Sequence, residues 1–151
     1  MQTSVLERLD YVAAAYADKV MFKDPEGSLT FSQFDKLTRS IGTYLAGLTA
    51  PGDPVAVMSG RHIYTPSCFL GAVRAGCFYA PMDVDMPKAR LTQILSVIKA
   101  PYLLVDEAHL ETAKALDYDG DIIVMEEIMD TPADDELLAQ RAATWVCTAP
   151  L

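Results

Sequence analysis

The chain has 151 residues, of which 51% are hydrophobic and 22% charged, and its formal net charge is -9. That size and balance predict one globular domain, burying roughly 68 to 70% of its unfolded surface, and exclude the disordered class. The acidic balance disfavours nucleic acid and anionic membranes as partners, because both are engaged through Lys and Arg.

Ser4 followed by Glu7 is a capping-box pattern, and Val5, Leu6, Leu9, Val12, Ala13 and Tyr16 then recur at helical spacing, which predicts an amphipathic first helix. Val20, Met21 and Phe22 precede the turn signal Asp24-Pro25-Glu26-Gly27, and Leu29-Thr30-Phe31 follows it, so a short hairpin is expected. Ser32, with Asp35 three residues on, is read as the cap of a second helix carrying Phe34, Leu37, Ile41, Tyr44, Leu45 and Leu48. After a dense turn at 50–54, Val55 to Met58 form a buried strand broken by Ser59-Gly60. Neither G-x-G-x-x-G nor G-x-x-x-x-G-K-[ST] is present there, so an ordinary strand-to-helix turn is the stronger reading and a phosphate loop the weaker.

Pro66 either delays the next helix or sits within its first turn. Phe69, Leu70 and Val73 fall on one face of that helix, Arg74 lies in its last turn, and Gly76 ends it. The strand 78–80 follows, closed by Pro81, and a helix opens at Pro87 with the stripe Leu91, Ile94, Leu95 and Ile98. Ala100-Pro101 stops it, 102–105 is a buried strand, Glu107 to Leu116 a short helix, and 122–124 a further strand. Thr131-Pro132 with Asp134, Asp135 and Glu136 reads as the capped first turn of a short helix, and Trp145-Val146-Cys147 as a last strand.

Strands separated by helices in this way predict a doubly wound, mostly parallel sheet flanked by helices. Ligands of such sheets sit beyond the carboxyl ends of the strands, which places Ser59, Gly60, Pro81, Met82, Asp83 and Asp106 around any crevice. His62 and His109 stand apart from each other and from the cysteines and are given no role. Cys68, Cys77 and Cys147 lie in apolar sequence without C-x-x-C spacing and read as buried free thiols. The acids from Asp117 to Glu127 invite a divalent metal, but without an EF-hand pattern a solvated face is the stronger reading. No apolar run reaches a membrane span and no signal peptide is visible, so a cytoplasmic location is expected.

Two stretches carry a family resemblance. Leu29-Thr30-Phe31-Ser32-Gln33-Phe34 is similar to L-T-Y-x-E-L of the adenylate-forming enzymes, with Gln33 and Phe34 in place of the acid and the leucine. Ala75, Gly76, Tyr79, Pro81, Asp83, Pro87, Arg90 and Leu91 resemble the A-G-x-x-Y-x-P-x-D-x-x-x-P-x-x-R-L segment of the same family, and more its amino-acid-activating branch than its fatty-acyl branch. The resemblance implies an enzyme that joins a carboxylic acid to ATP with Mg2+, releases pyrophosphate, and passes the acyl group from the adenylate to the thiol of CoA or a carrier protein.

It also implies what this sequence lacks. The family's phosphate loop, which Thr148-Ala149-Pro150-Leu151 leads towards, and its C-terminal domain with the catalytic lysine are absent from residues 1–151. No catalytic, cofactor-binding or metal-ligating residue is therefore assigned. Gly76 is expected as a tight helix end, Pro81 and Asp83 as a strand exit, and Arg90 as a structural ion pair or cap. The expectation is an N-terminal fragment, one α/β domain over 1–151, whose partner is the remainder of the enzyme and which is inactive and cofactor-free alone. The alternative is a free-standing flavodoxin-like binding or interaction module without ligase activity.

Overall fold

The computed structural model describes residues 4–144, so the strand expected at Trp145 to Cys147 lies outside the described residues. Helix α1 (Val5–Ala15) starts at Ser4, whose hydroxyl accepts the N–H of Glu7 as the spacing predicts. Strands β1 (Val20–Asp24) and β2 (Gly27–Thr30) pair antiparallel as the expected hairpin. Asp24 shapes the turn: its Oδ1 accepts the N–H groups of Glu26 and Gly27, both at 2.9 Å.

Helix α2 (Phe31–Ala46) is capped by Thr30, two residues ahead of the expected Ser32. Thr30 Oγ accepts Gln33 N–H at 3.2 Å and Gln33 Oε1 accepts Thr30 N–H at 2.9 Å, so two orphan donors of the first turn are satisfied reciprocally. Phe34, Ile41 and Leu45 are fully buried, whereas Leu37 is half-buried and Tyr44 and Leu48 remain exposed.

Four parallel strands, β3 (Pro54–Met58), β4 (Phe78–Met82), β5 (Tyr102–Val105) and β6 (Asp121–Val124), lie in the order β4-β3-β5-β6. One face, with Val55, Val57 and Leu104, packs on α2 and on α3 (Thr65–Arg74); the other, with Ala56, Met58, Leu103 and Val105, packs on α4 (Lys88–Ile98) and on α5 (Leu110–Lys114), which follows a short 3-10 turn at Glu107–His109. The expected doubly wound α/β architecture is therefore present. Short helix α6 (Met125–Ile128) follows β6, and α7 (Asp135–Ala143) starts at Asp134 rather than at Thr131-Pro132. No helix among the described residues is long and apolar enough to cross a membrane.

The apolar face predicted for α3 is assembled differently. Ser67, Cys68, Gly71 and Ala72 are buried there, while Phe69, Leu70 and Val73 are only half-buried. Small residues let α2 and α3 approach closely: a Cβ on Gly71 would lie 2.5 Å from Ile41 Cγ2, and one on Gly42 would lie 2.8 Å from Arg74 Cβ. Pro66 is absorbed in the first turn of α3.

Pro81 does not close β4 but continues it to Met82. The strand is at the sheet edge, and Phe78 N–H points inward to Asp53 O at 3.2 Å. Alternation then turns position 81 to the open edge, where a missing donor costs the ladder nothing. Gly76 ends α3 at φ +76°, as expected, and α4 ends at Lys99 in the left-handed region at φ 50°, ahead of Ala100-Pro101.

Candidate functional site

Strand β3 sends its crossover to β4 on one side, and β5 sends its own to β6 on the other, so the strand order reverses between these two neighbouring parallel strands. Crevices of doubly wound sheets form at such a point, beyond the carboxyl ends. Ser59 and Gly60 follow β3 there, and Asp106 follows β5.

Asp106 is 2% exposed and saturated with donors. Its Oδ2 accepts Gly60 N–H at 2.7 Å and the Ser59 hydroxyl at 3.1 Å, and lies 3.3 Å from His62 Nε2. Its Oδ1 accepts His109 N–H at 3.0 Å and faces His109 Nδ1 at 2.5 Å. Burial alone would raise the pKa of this carboxyl group, but the bonds from Gly60, His109 and Ser59 outweigh it and hold the group below the usual carboxylate range.

His62 and His109, which the sequence left isolated and without a role, are therefore joined through one carboxylate. The signal was available: both follow at i+3 a polar residue, Ser59 or Asp106, that ends a buried strand. Their tautomers follow from their partners. A carboxylate at Nδ1 makes that nitrogen of His109 the donor; His62 donates from Nε2, leaving a buried Nδ1 without a partner.

The arrangement resembles a serine nucleophile with its base, but it is wired differently. Ser59 Oγ lies 3.0 Å from His62 Nε2, the same nitrogen that faces Asp106. A Ser-His-Asp relay needs the two imidazole nitrogens to serve the serine and the carboxylate separately. Nor is Gly60 a phosphate cradle: its N–H is taken by a carboxylate, and a negative charge stands where a phosphate oxygen would have to be. The cluster is a clasp between the β3 and β5 loops.

Two depressions flank the clasp. One, of about 850 Å³, is lined by Phe22, Ile63, Phe69, Pro81, Met82 and Val84, and the other, of about 590 Å³, by Tyr64, Ala108, His109, Met125, Glu126 and Met129. Asp24 stands between them and ties the hairpin to the clasp by accepting Ile63 N–H at 3.3 Å.

Two arginines of the expected motif region, Arg74 and Arg90, are engaged within the fold. Arg74, 4% exposed, donates to Thr38 Oγ at 2.8 Å, to Asp10 at 2.7 Å and to Asp35 at 2.5 Å. Arg74 lies in the last turn of α3 as expected, and Arg141 donates to Ala75 O at that helix end at 3.3 Å. Arg90 meets Gln93 Oε1 at 3.0 Å rather than an acid, and Asp83 accepts Asp85 N–H at 3.0 Å in the loop after β4. The residues of the adenylate-forming signature thus build a helix end, a strand and its exit. The Gly60 N–H is bonded to Asp106 and so is not free for a phosphate, while Lys23 and Arg61 line the larger depression.

The family model described as AMP-binding enzyme matches residues 9–147. A naringenin synthase of Pestalotiopsis fici is 32% identical over 146 residues, which is 95% of this chain and 5% of that protein. The nonribosomal peptide synthetase dtxS1 of Metarhizium robertsii is 30% identical over 115 residues, 76% of this chain and 2% of that protein. Among solved structures, a four-domain nonribosomal peptide synthetase bound to AMP and glycine has the same fold over 93% of this chain and 10% of its own, with a TM-score of 0.80 at 19% identity. The chain spans a twentieth or less of the length of these curated relatives, and it belongs to the AMP-binding enzyme family.

Proposed function

We propose that the polypeptide carrying this chain is an ATP-dependent, AMP-forming ligase, which activates a carboxylic acid as its adenylate and transfers the acyl group to a thiol of CoA or a carrier protein. Residues 1–151 act in it as one α/β scaffold and are inactive alone. The observation that carries the reading is the match to the AMP-binding family over residues 9–147, nearly the whole chain. The relatives named as peptide synthetases favour an amino acid as the substrate acid and a carrier protein as the acceptor. Buried, unbridged Cys68 and Cys77 suit a cytoplasmic location, where thiols stay reduced.

Chemistry belongs, in this proposal, to the rest of the polypeptide. Stabilising charge at an α-phosphate requires preorganised donors and cations. Here Arg74 and Arg141 are consumed in holding helices together, and the Gly60 N–H in holding Asp106. The chain's own contribution is rigidity: the clasp and the buried ion pairs fix the sheet against which later parts pack.

The test begins with the reading frame beyond codon 151, where a Ser/Thr/Gly-rich loop ending in Lys is expected. The longer polypeptide should then catalyse acid-dependent exchange of pyrophosphate into ATP, across a panel of amino, aryl and fatty acids. An in-frame stop, or no exchange with any acid, favours the free-standing binding module.

A further inference from the structure

Helix α7 lies across the carbonyl ends of two other helices. From its last turn, Arg141 Nη2 donates to Ala46 O at 2.7 Å and to Thr49 O at 2.6 Å, while Nη1 donates to Ala75 O at 3.3 Å. Ala46 is the last residue of α2 and Ala75 the cap of α3. Each helix ends in carbonyls without intrahelical partners and in the negative pole of its dipole, so one guanidinium serves both ends at once. At the start of α7, Asp135 pairs with Arg39 at 3.0 Å and Asp134 N–H donates to Thr43 Oγ at 3.0 Å.

Apolar attachment is slight by comparison. Leu138 is the buried residue of α7 and Leu137 is half-buried. A helix of 9 residues does not persist in water without docking. The sheet is held the other way, by Val55, Val57, Leu103, Leu104 and Val105, which are buried between helices on both faces. Polar docking of a short segment on an apolar core makes two regions of unequal local stability.

We infer that α7 is a strap that opens as a separate unit while β3 and β5 stay closed, and that Arg141 is its bolt. Opening uncovers Gly76 at the foot of β4, whose close neighbours are Arg141 and Thr144. The inference rests on the contacts of α7 and stands whether or not the ligase reading does.

Native-state hydrogen exchange on the full chain, resolved by peptide, tests it. The amides of α7 are expected to exchange at least ~10-fold faster than those of β3 and β5, through openings that leave the strands protected. Raising NaCl to about 1 M should speed α7 alone, because the exposed Arg39–Asp135 pair is screened. Arg141→Ala should speed α7 by roughly 10- to 100-fold, the loss expected for a charged donor bonded to several carbonyls, and Arg141→Lys by less. If α7 and the strands exchange at one rate and respond alike to salt, the strap does not exist. An Arg141→Ala chain that unfolds as a whole contradicts the inference equally, since the bolt would then hold the entire sheet.

Discussion

The carboxylate of Asp106, at the end of β5, accepts the backbone N–H of Gly60, at the end of β3, at 2.7 Å. This bond, with the contacts of Ser59 and His62 to the same oxygen, holds the β3 and β5 loops together at the point where the strand order reverses. The Asp106 pKa is held down in the folded chain, so its contribution to stability is present above the unfolded value of about 3.9 and is lost as pH falls through the folded one. Asp106→Asn should lower stability at pH 7 by roughly 2 to 4 kcal/mol and flatten the dependence on pH below ~4. Denaturant unfolding from pH 7 to 3 reads both effects, and an unchanged acid limb would contradict the role given to Asp106.

Gly71→Ala sets helix propensity against packing. Alanine gains about 1 kcal/mol in a helix interior, yet its methyl would lie 2.5 Å from Ile41 Cγ2 and 2.8 Å from Ile41 Cβ. Overpacking in a close helix crossing costs about 1 to 3 kcal/mol. Destabilisation is therefore expected, by about 1 kcal/mol, measured as a lower urea midpoint. A more stable variant would mean that α2 and α3 separate without cost.

Arg74 is enclosed by Asp10, Asp35 and Thr38. Arg74→Ala removes a guanidinium bonded to Asp10, Asp35 and Thr38, though Asp35 keeps Arg39 at 2.8 Å, and should cost roughly 1.5 to 3 kcal/mol, whereas a cation serving only the end of α3 would cost about 0.3 to 1 kcal/mol. Thermal unfolding distinguishes the two.

Gly76 and Lys99 share a left-handed backbone and predict opposite signs. Gly76→Val meets a strained φ of +76° and the crowding of Arg141 and Thr144, so a loss of more than ~1 kcal/mol is expected. Lys99→Gly relieves the same conformation at φ 50° and should gain about 0.5 to 1 kcal/mol. Denaturation midpoints moving in the same direction for both would refute this account of the two helix ends.

What the sequence revealed follows from which forces are local. The hairpin at Asp24, the end of α3 at Gly76 and the four parallel strands were legible because turn chemistry and apolar runs act over a few residues, but the strand expected to be buried at 78–80 lies at the sheet edge with Phe78 and Tyr79 exposed. The cap of α2 was misplaced at Ser32 because Thr30-x-x-Gln33 competes with it and wins by a reciprocal pair of bonds. Phe69, Leu70 and Val73 misled because hydrophobicity favours large residues, while close contact with α2 selects small ones. The crevice around Ser59, Gly60 and Asp106 was placed by topology, but the convergence of His62 and His109 on it joins residues 47 apart, and spacing along the chain does not report that.

The claim that these residues are scaffold without a nucleotide site is tested most directly by calorimetric titration of the chain 1–151 with Mg-ATP. With Arg74 and Arg141 engaged and Gly60 N–H bonded to Asp106, binding no tighter than millimolar, about -4 kcal/mol, is predicted. A low-micromolar affinity would contradict the account, and Asp83, Gly60 and Arg90 would then be the first positions to substitute.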